Sequence, residues 1–182
     1  MKHKVPDIII IKGAPGVGKS TTSKSLAKFF PGGVRLEVDL IRQMVVSVDW
    51  TNQEEHIQML EVSVGLVLGF IKSGFSPVII VDTFSGNKIN NYLEKLTSAN
   101  KELKVSIFGL HATPQELEKR LKARPENEYK DVSVSVKLNE QMLKNKHAIE
   151  IQIDTTDLTP VETTQIILNG LKHSFIKSSP TT

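Results

Sequence analysis

No cysteine occurs in the sequence. That excludes disulfides and thiolate chemistry and is compatible with a reducing compartment. Aromatic residues are scarce, at 5%, so the stacking platforms that single-stranded nucleic acids use are not evident. Positive charge is also thin. The net charge is +3 with an isoelectric point near 9.0, and no block of about five or six basic residues forms a tail for a polyanion. Long apolar runs are missing as well. The longest uncharged one, "VSVGLVLGFI" at 62–71, is about half the ~20 residues of a membrane span. At the start, "MKHKVPDIIIIKG" has an apolar run too short for a secretory leader. The expectation is a cytoplasmic protein without a membrane partner.

Repeats, low-complexity segments and linkers are absent too, which leaves one domain over 1–177, with 178–182 as a frayed tail. Hydrophobic residues at 39% and charged residues at 24% are ordinary globular values. Short β-branched runs alternate with helical patterns, the signature of a parallel α/β sheet. The expected strands are "DIIIIKG", "VRLEV", "PVIIVD", "KVSIFGL" and "IEIQID", near-continuous apolar runs suited to strands covered on both faces. Helices are expected from the loop after the first strand to Phe30, just after Asp39, over 54–73, 88–99, 113–124 and 132–146, and from Pro160. Thr113, Pro114 and Glu116 form a helix-start signature at N-cap, N1 and N3. The region 113–134 reads as a lid.

The most informative stretch is "GAPGVGKST", residues 13–21. It fits G-x-x-x-x-G-K-[ST], the phosphate-binding P-loop. Gly13, Gly16 and Gly18 let the backbone turn its N–H groups onto an anion, and the helix that follows adds its positive dipole end. Lys19 reaches the β- and γ-phosphates, and the Ser20 hydroxyl ligates Mg²⁺. Ala14, Pro15 and Val17 complete the cradle. Thr21 either contacts the α-phosphate or lies exposed. An apolar strand before the motif and an uninterrupted helix after it supply the required context.

Other P-loop classes fit poorly. In "DTFSG", Ser85 stands where a GTPase needs glycine, and in "NKIN", Asn90 replaces the guanine-reading aspartate. AAA-type ATPases follow the strand-end aspartate with an acid, whereas Asp82 is followed by Thr83, and their extra helical domain exceeds this chain. Three spots instead point to phosphoryl transfer. Asp39 and Arg42, one turn apart after the second strand, project from the carboxyl edge of the sheet, where open α/β folds bind ligands. There Asp39 serves as general base or merely caps a helix, and Arg42 grips a phosphate or lies on a solvated face. Asp82 ends an apolar strand as a Walker B carboxylate near Mg²⁺, or caps the next turn. Arg120 and Arg124 share a helix face, as lid arginines over the γ-phosphate or as solvated residues. The turn at 154–156 is expected near adenine. His56, His111 and His147 lack metal-ligand spacing and read as structural or exposed. Trp50 and Phe84 either line an acceptor pocket or belong to the core.

Together these motifs resemble the small P-loop kinases of the nucleoside-monophosphate-kinase fold. The resemblance is greatest to the 5′-hydroxyl polynucleotide kinase and chloramphenicol phosphotransferase-like group, through "VDLIRQMV", "VIIVDT" and "KRLKAR". It implies a three-layer α/β/α fold with a five-stranded parallel sheet of order 2-3-1-4-5 and a helical lid. It also implies Asp39 as general base and Arg42 on the reacting phosphate. The segment "DTFSGN" lacks the arginine of adenylate kinase-like D-G-F-P-R-T, which counts against a nucleoside monophosphate acceptor. The expectation is an ATP- and Mg²⁺-dependent kinase acting on a small-molecule hydroxyl. The alternatives are a 5′-hydroxyl polynucleotide kinase and a nucleotide sensor that hydrolyses slowly or not at all.

Overall fold

The computed structural model describes residues 5–174; the expected frayed tail, 178–182, lies outside the described residues. Five parallel strands form one sheet: β1 (Ile8–Gly13), β2 (Val34–Glu37), β3 (Val78–Asp82), β4 (Val105–His111) and β5 (Glu150–Asp154). Their order is β2-β3-β1-β4-β5, the order that the family resemblance implies. The helices are α1 (Lys19–Ala27), α2 (Val38–Arg42), α3 (Gln53–Lys72), α4 (Lys88–Ala99), α5 (Pro114–Lys122), α6 (Val132–Lys144) and α7 (Pro160–Ser174).

The isoleucine run of β1 shows why the sheet is covered on both faces. Successive side chains of a strand point to opposite faces. Ile8 and Ile10 pack with Leu60, Val64 and Leu96 of α3 and α4, whereas Ile9 and Ile11 pack with Leu26 of α1 and with Ile167 and Leu171 of α7. All four isoleucines are fully buried. The chain therefore leaves β1 toward one face and leaves β2 and β3 toward the other. The crevice between those exits, at the carboxyl ends of the strands, is where such sheets bind ligands.

Local signals set most helix ends. Asn52 caps α3 by accepting from the amides of Glu54 and Glu55, and Thr113 caps α5 by accepting from Glu116. Helix α1 stops at Ala27 rather than at Phe30. The amides of Lys28, Phe29 and Phe30 bond three residues back, to Ser25, Leu26 and Ala27. The last turn tightens in this way because Pro31 and two glycines follow and cannot continue the helix.

One polar interaction crosses the sheet below the site. Lys12 Nζ on β1 lies 2.9 Å from Glu150 Oε2 on β5, and both side chains are 1% exposed. Gly109 of β4 lies between them, and a Cβ there would collide with the Glu150 carboxylate. Losing one partner would strand a buried charge. Glu150→Ala is therefore expected to lower unfolding free energy by about 3–5 kcal/mol. Replacing Lys12 and Glu150 together by Met and Leu should recover most of that loss in the same denaturant titration.

Candidate active site

The site begins where β1 turns into α1. Gly13 sits so close to β4 that a Cβ would lie 2.5 Å from the Leu110 carbonyl, and Gly18, the α1 N-cap, adopts φ 94°. That left-handed backbone costs glycine little. Lys19 Nζ bridges the carbonyls of Gly13 and Ala14, at 2.7 and 3.0 Å. Burial lowers its pKa to about 8; Arg124 lowers it further, while Asp82 and Asp39 oppose the shift. The ammonium is thus held without a direct carboxylate partner, ready for a strong anion. Ala14, Gly16 and Val17 are buried, and Pro15, Gly18 and Ser20 are half-buried. Thr21 is exposed and donates to the Gly18 carbonyl.

The Ser20 hydroxyl donates to Glu37 Oε2 at 3.0 Å, which leaves its lone pairs free. Glu37 ends β2 and is also paired with Arg35. It escaped the sequence reading, which stopped at Asp39 two residues on. Alternation along β2 was the available signal, since Leu36 points into the core and its neighbour must point elsewhere.

Asp82 ends β3 in the buried centre of the site, 5% exposed. His56 Nε2 lies 3.0 Å from its Oδ1, and the Phe84 amide donates to Oδ2 at 2.9 Å. Burial pushes the carboxyl up, but these hydrogen bonds and the Lys19 charge outweigh it and hold it below its ordinary value. His56 Nδ1 in turn lies 2.9 Å from Lys88 Nζ, which also donates to Gln53. An ammonium can only donate, so Nδ1 is the acceptor and Nε2–H faces Asp82. His56 is therefore a buried member of the site.

Asp39 belongs to the same field. It is the second residue of α2, whose N-cap is Glu37, so a mere capping role is excluded. Its side chain is 65% exposed. Its place in the cleft, with burial the first cause and Asp82 the second, still raises its carboxyl above the usual value, against Lys19, Arg42 and His56. Arg42 is buried rather than solvated. It donates to the Asp49 carbonyl at 3.1 Å, lies 3.9 Å from Glu55 and 4.0 Å from Asp39, and stacks 4.6 Å from the Trp50 ring centroid. Trp50 stays 47% exposed, whereas Phe84 is core at 1%.

Arg120 and Arg124 do not share a helix face as expected, because α5 ends at Lys122 with its C-cap at Ala123 and Arg124 lies beyond it. Arg120 donates to Glu116 and to the Thr155 hydroxyl and the Thr155 and Thr156 carbonyls. It thereby walls a cavity of about 280 Å³ lined also by Val17, Gly18, Thr21 and Thr155, close to the lower end of ligand pockets, ~300–1,000 Å³. Arg124 donates to the Tyr129 carbonyl and is the arginine whose charge reaches Lys19. No cluster of three or more His, Cys, Asp or Glu suited to a metal occurs among the described residues, nor is any helix there long and apolar enough to cross a membrane.

A family model described as an AAA domain matches residues 8–148. No curated protein matches the chain. Among solved structures, a gluconokinase from Sinorhizobium meliloti 1021 superposes with TM-score 0.66 at 18% identity, covering 97% of this chain and 99% of that one. Shikimate kinase from Acinetobacter baumannii, in complex with shikimate, gives 0.63 at 16%, covering 96% and 97%. A chain of the Pnkp1/Rnl/Hen1 RNA repair complex gives 0.63 at 24%, covering 81% of this chain and 48% of that one. These likenesses show the fold, which is that of small P-loop kinases.

The depressed Lys19 pKa has a consequence for stability. Between about 8 and 10.5 the unfolded chain keeps a proton that the folded one has released, so stability rises with pH in that window. The stability of the wild type relative to Lys19→Met is expected to climb from pH 8 toward pH 10 in paired denaturant titrations. A flat difference would contradict the burial of the ammonium.

Proposed function

From the chain's membership of the AAA domain family and its small P-loop kinase fold, we propose that it transfers the γ-phosphoryl group of Mg·ATP to the hydroxyl of a small molecule. One observation carries this reading: Asp39 stands exposed in the cleft with a raised carboxyl pKa, in the same electrostatic field as Lys19 and Asp82. A nucleotide sensor has no use for a base there.

In the proposed step the acceptor oxygen attacks the γ-phosphorus as its proton passes to Asp39. The new O–P bond forms, the bond to the β-phosphate bridging oxygen breaks, and ADP leaves. A carboxylate held above its ordinary pKa is the better proton acceptor near neutrality. Lys19 and Arg124 neutralise charge on the transferring group. Arg120, its donors already engaged, supports the nucleoside cavity rather than the γ-phosphate, and the turn at 154–156 forms its wall. The residues fit Mg²⁺. The free lone pairs of Ser20 and the carboxylates of Glu37 and Asp82 are hard oxygen donors, and Mg²⁺ is usually held by one or two carboxylates together with substrate phosphates. When bound, the ion would offset phosphate charge.

The test is transfer from γ-labelled ATP across a panel of sugars, nucleosides, aryl alcohols and 5′-hydroxyl oligonucleotides. Lys19→Ala is expected to abolish ATP binding or turnover. Asp39→Asn should keep ATP binding and lose about 10²–10⁴-fold in transfer rate. Label moving only to oligonucleotides would select the polynucleotide reading. Label moving only to water would select the sensor.

A further inference from the structure

Trp50 is the chain's single tryptophan, and it is mounted with unusual care for a half-exposed ring. The Asp49 carboxylate accepts from both the amide and the hydroxyl of Thr51, the Asp49 amide donates to Glu55, and the Asn52 amide donates to the Asp49 carbonyl. Asn52 then caps α3. Backbone on either side of the ring is thus fixed. Behind it lies the Arg42 guanidinium, 5% exposed, itself held by the Asp49 carbonyl and by Glu55. Arg42 lies over one face of the ring, yet 47% of the residue's surface remains uncovered.

The same guanidinium lies 4.6 Å from the Trp50 ring centroid and 4.0 Å from the Asp39 carboxylate. The ring is therefore one guanidinium removed from the proposed base, which puts it on the acceptor side of the proposed site. Leu40, next to Asp39 in the chain, and Met44 are 47% and 76% exposed, so apolar surface is uncovered on the segment that carries the proposed base. Arg42 on one face draws π density toward itself, so a second cation gains little from the other face. A flat uncharged ring gains dispersion and stacking there.

We propose that Trp50, backed by Arg42, is a stacking platform that selects acceptors carrying a planar, uncharged ring, such as a nucleoside or an aryl alcohol, over sugar acids and cationic aminoglycosides. The proposal rests on the kinase reading for the fate of the bound hydroxyl, but the platform is measurable without turnover. Trp50 fluorescence is followed with a non-hydrolysable ATP analogue bound, while uridine, 1-phenyl-1,3-propanediol, gluconate or kanamycin is titrated. Saturable quenching by uridine or the phenyl diol, and not by gluconate or kanamycin, is expected. The two ring probes separate a nucleobase source from an aryl one. With labelled ATP, Trp50→Ala should raise the KM of the ring-bearing acceptor about fivefold to a hundredfold with the KM of ATP unchanged, and Trp50→Phe should restore most of the loss. Ring-dependent quenching without labelled product would retain the platform and remove the kinase reading. Quenching by neither ring probe, transfer preferring gluconate or kanamycin, or an unchanged acceptor KM in Trp50→Ala would overturn the platform.

Discussion

A buried negative charge at the end of the third strand organises this molecule. Asp82 is taken out of water at the centre of the sheet edge, a placement that is costly unless every oxygen is satisfied. Its oxygens are satisfied by the His56 ring and the Phe84 amide. Its charge then acts at a distance, supporting the Lys19 ammonium on one side and raising the Asp39 carboxyl on the other. Lys88 keeps His56 in the tautomer that Asp82 needs, which ties the starts of α3 and α4 to the same carboxylate.

The sheet order gives that charge its place. With β1 between β3 and β4, the P-loop and Asp82 emerge side by side, and β2 delivers Glu37 and Asp39 next to them. Helix α1 departs to one face of the sheet and α3 and α4 to the other, so the crevice between them has two walls, which the proposed function assigns to donor and acceptor. On the P-loop side, Lys19 is held on loop carbonyls and Arg120 on the β5–α7 turn. On the other side, Arg42 is engaged by the Asp49 carbonyl, Glu55 and the Trp50 ring.

What the sequence made legible was whatever short-range physics decides. β-branched runs gave the strands, the Thr113-Pro114-Glu116 signature gave the start of α5, and glycine spacing gave the P-loop. The family resemblance added the strand order. Interactions fixed by tertiary packing could not be read in this way. His56 lies 26 residues from Asp82 in the chain, and only the rotation of α3 against β3 turns its ring inward. Spacing alone would put Arg120 and Arg124 on one helix face, yet α5 stops at Lys122, the turn after β5 captures Arg120, and Arg124 is left near Lys19. Glu37 was hidden because the last residue of a short strand carries no motif of its own.

At the centre of this picture is one direct transfer across the cleft, from a nucleotide on the P-loop to a hydroxyl beside Asp39. The most direct measurement uses ATP made chiral at its γ-phosphorus with oxygen isotopes and sulfur, followed by configurational analysis of the phosphorothioate ester formed. Inversion at phosphorus is the predicted result, because a single in-line displacement inverts the centre. Retention, which requires a phosphorylated enzyme intermediate, or release of inorganic thiophosphate in place of an ester, would contradict it.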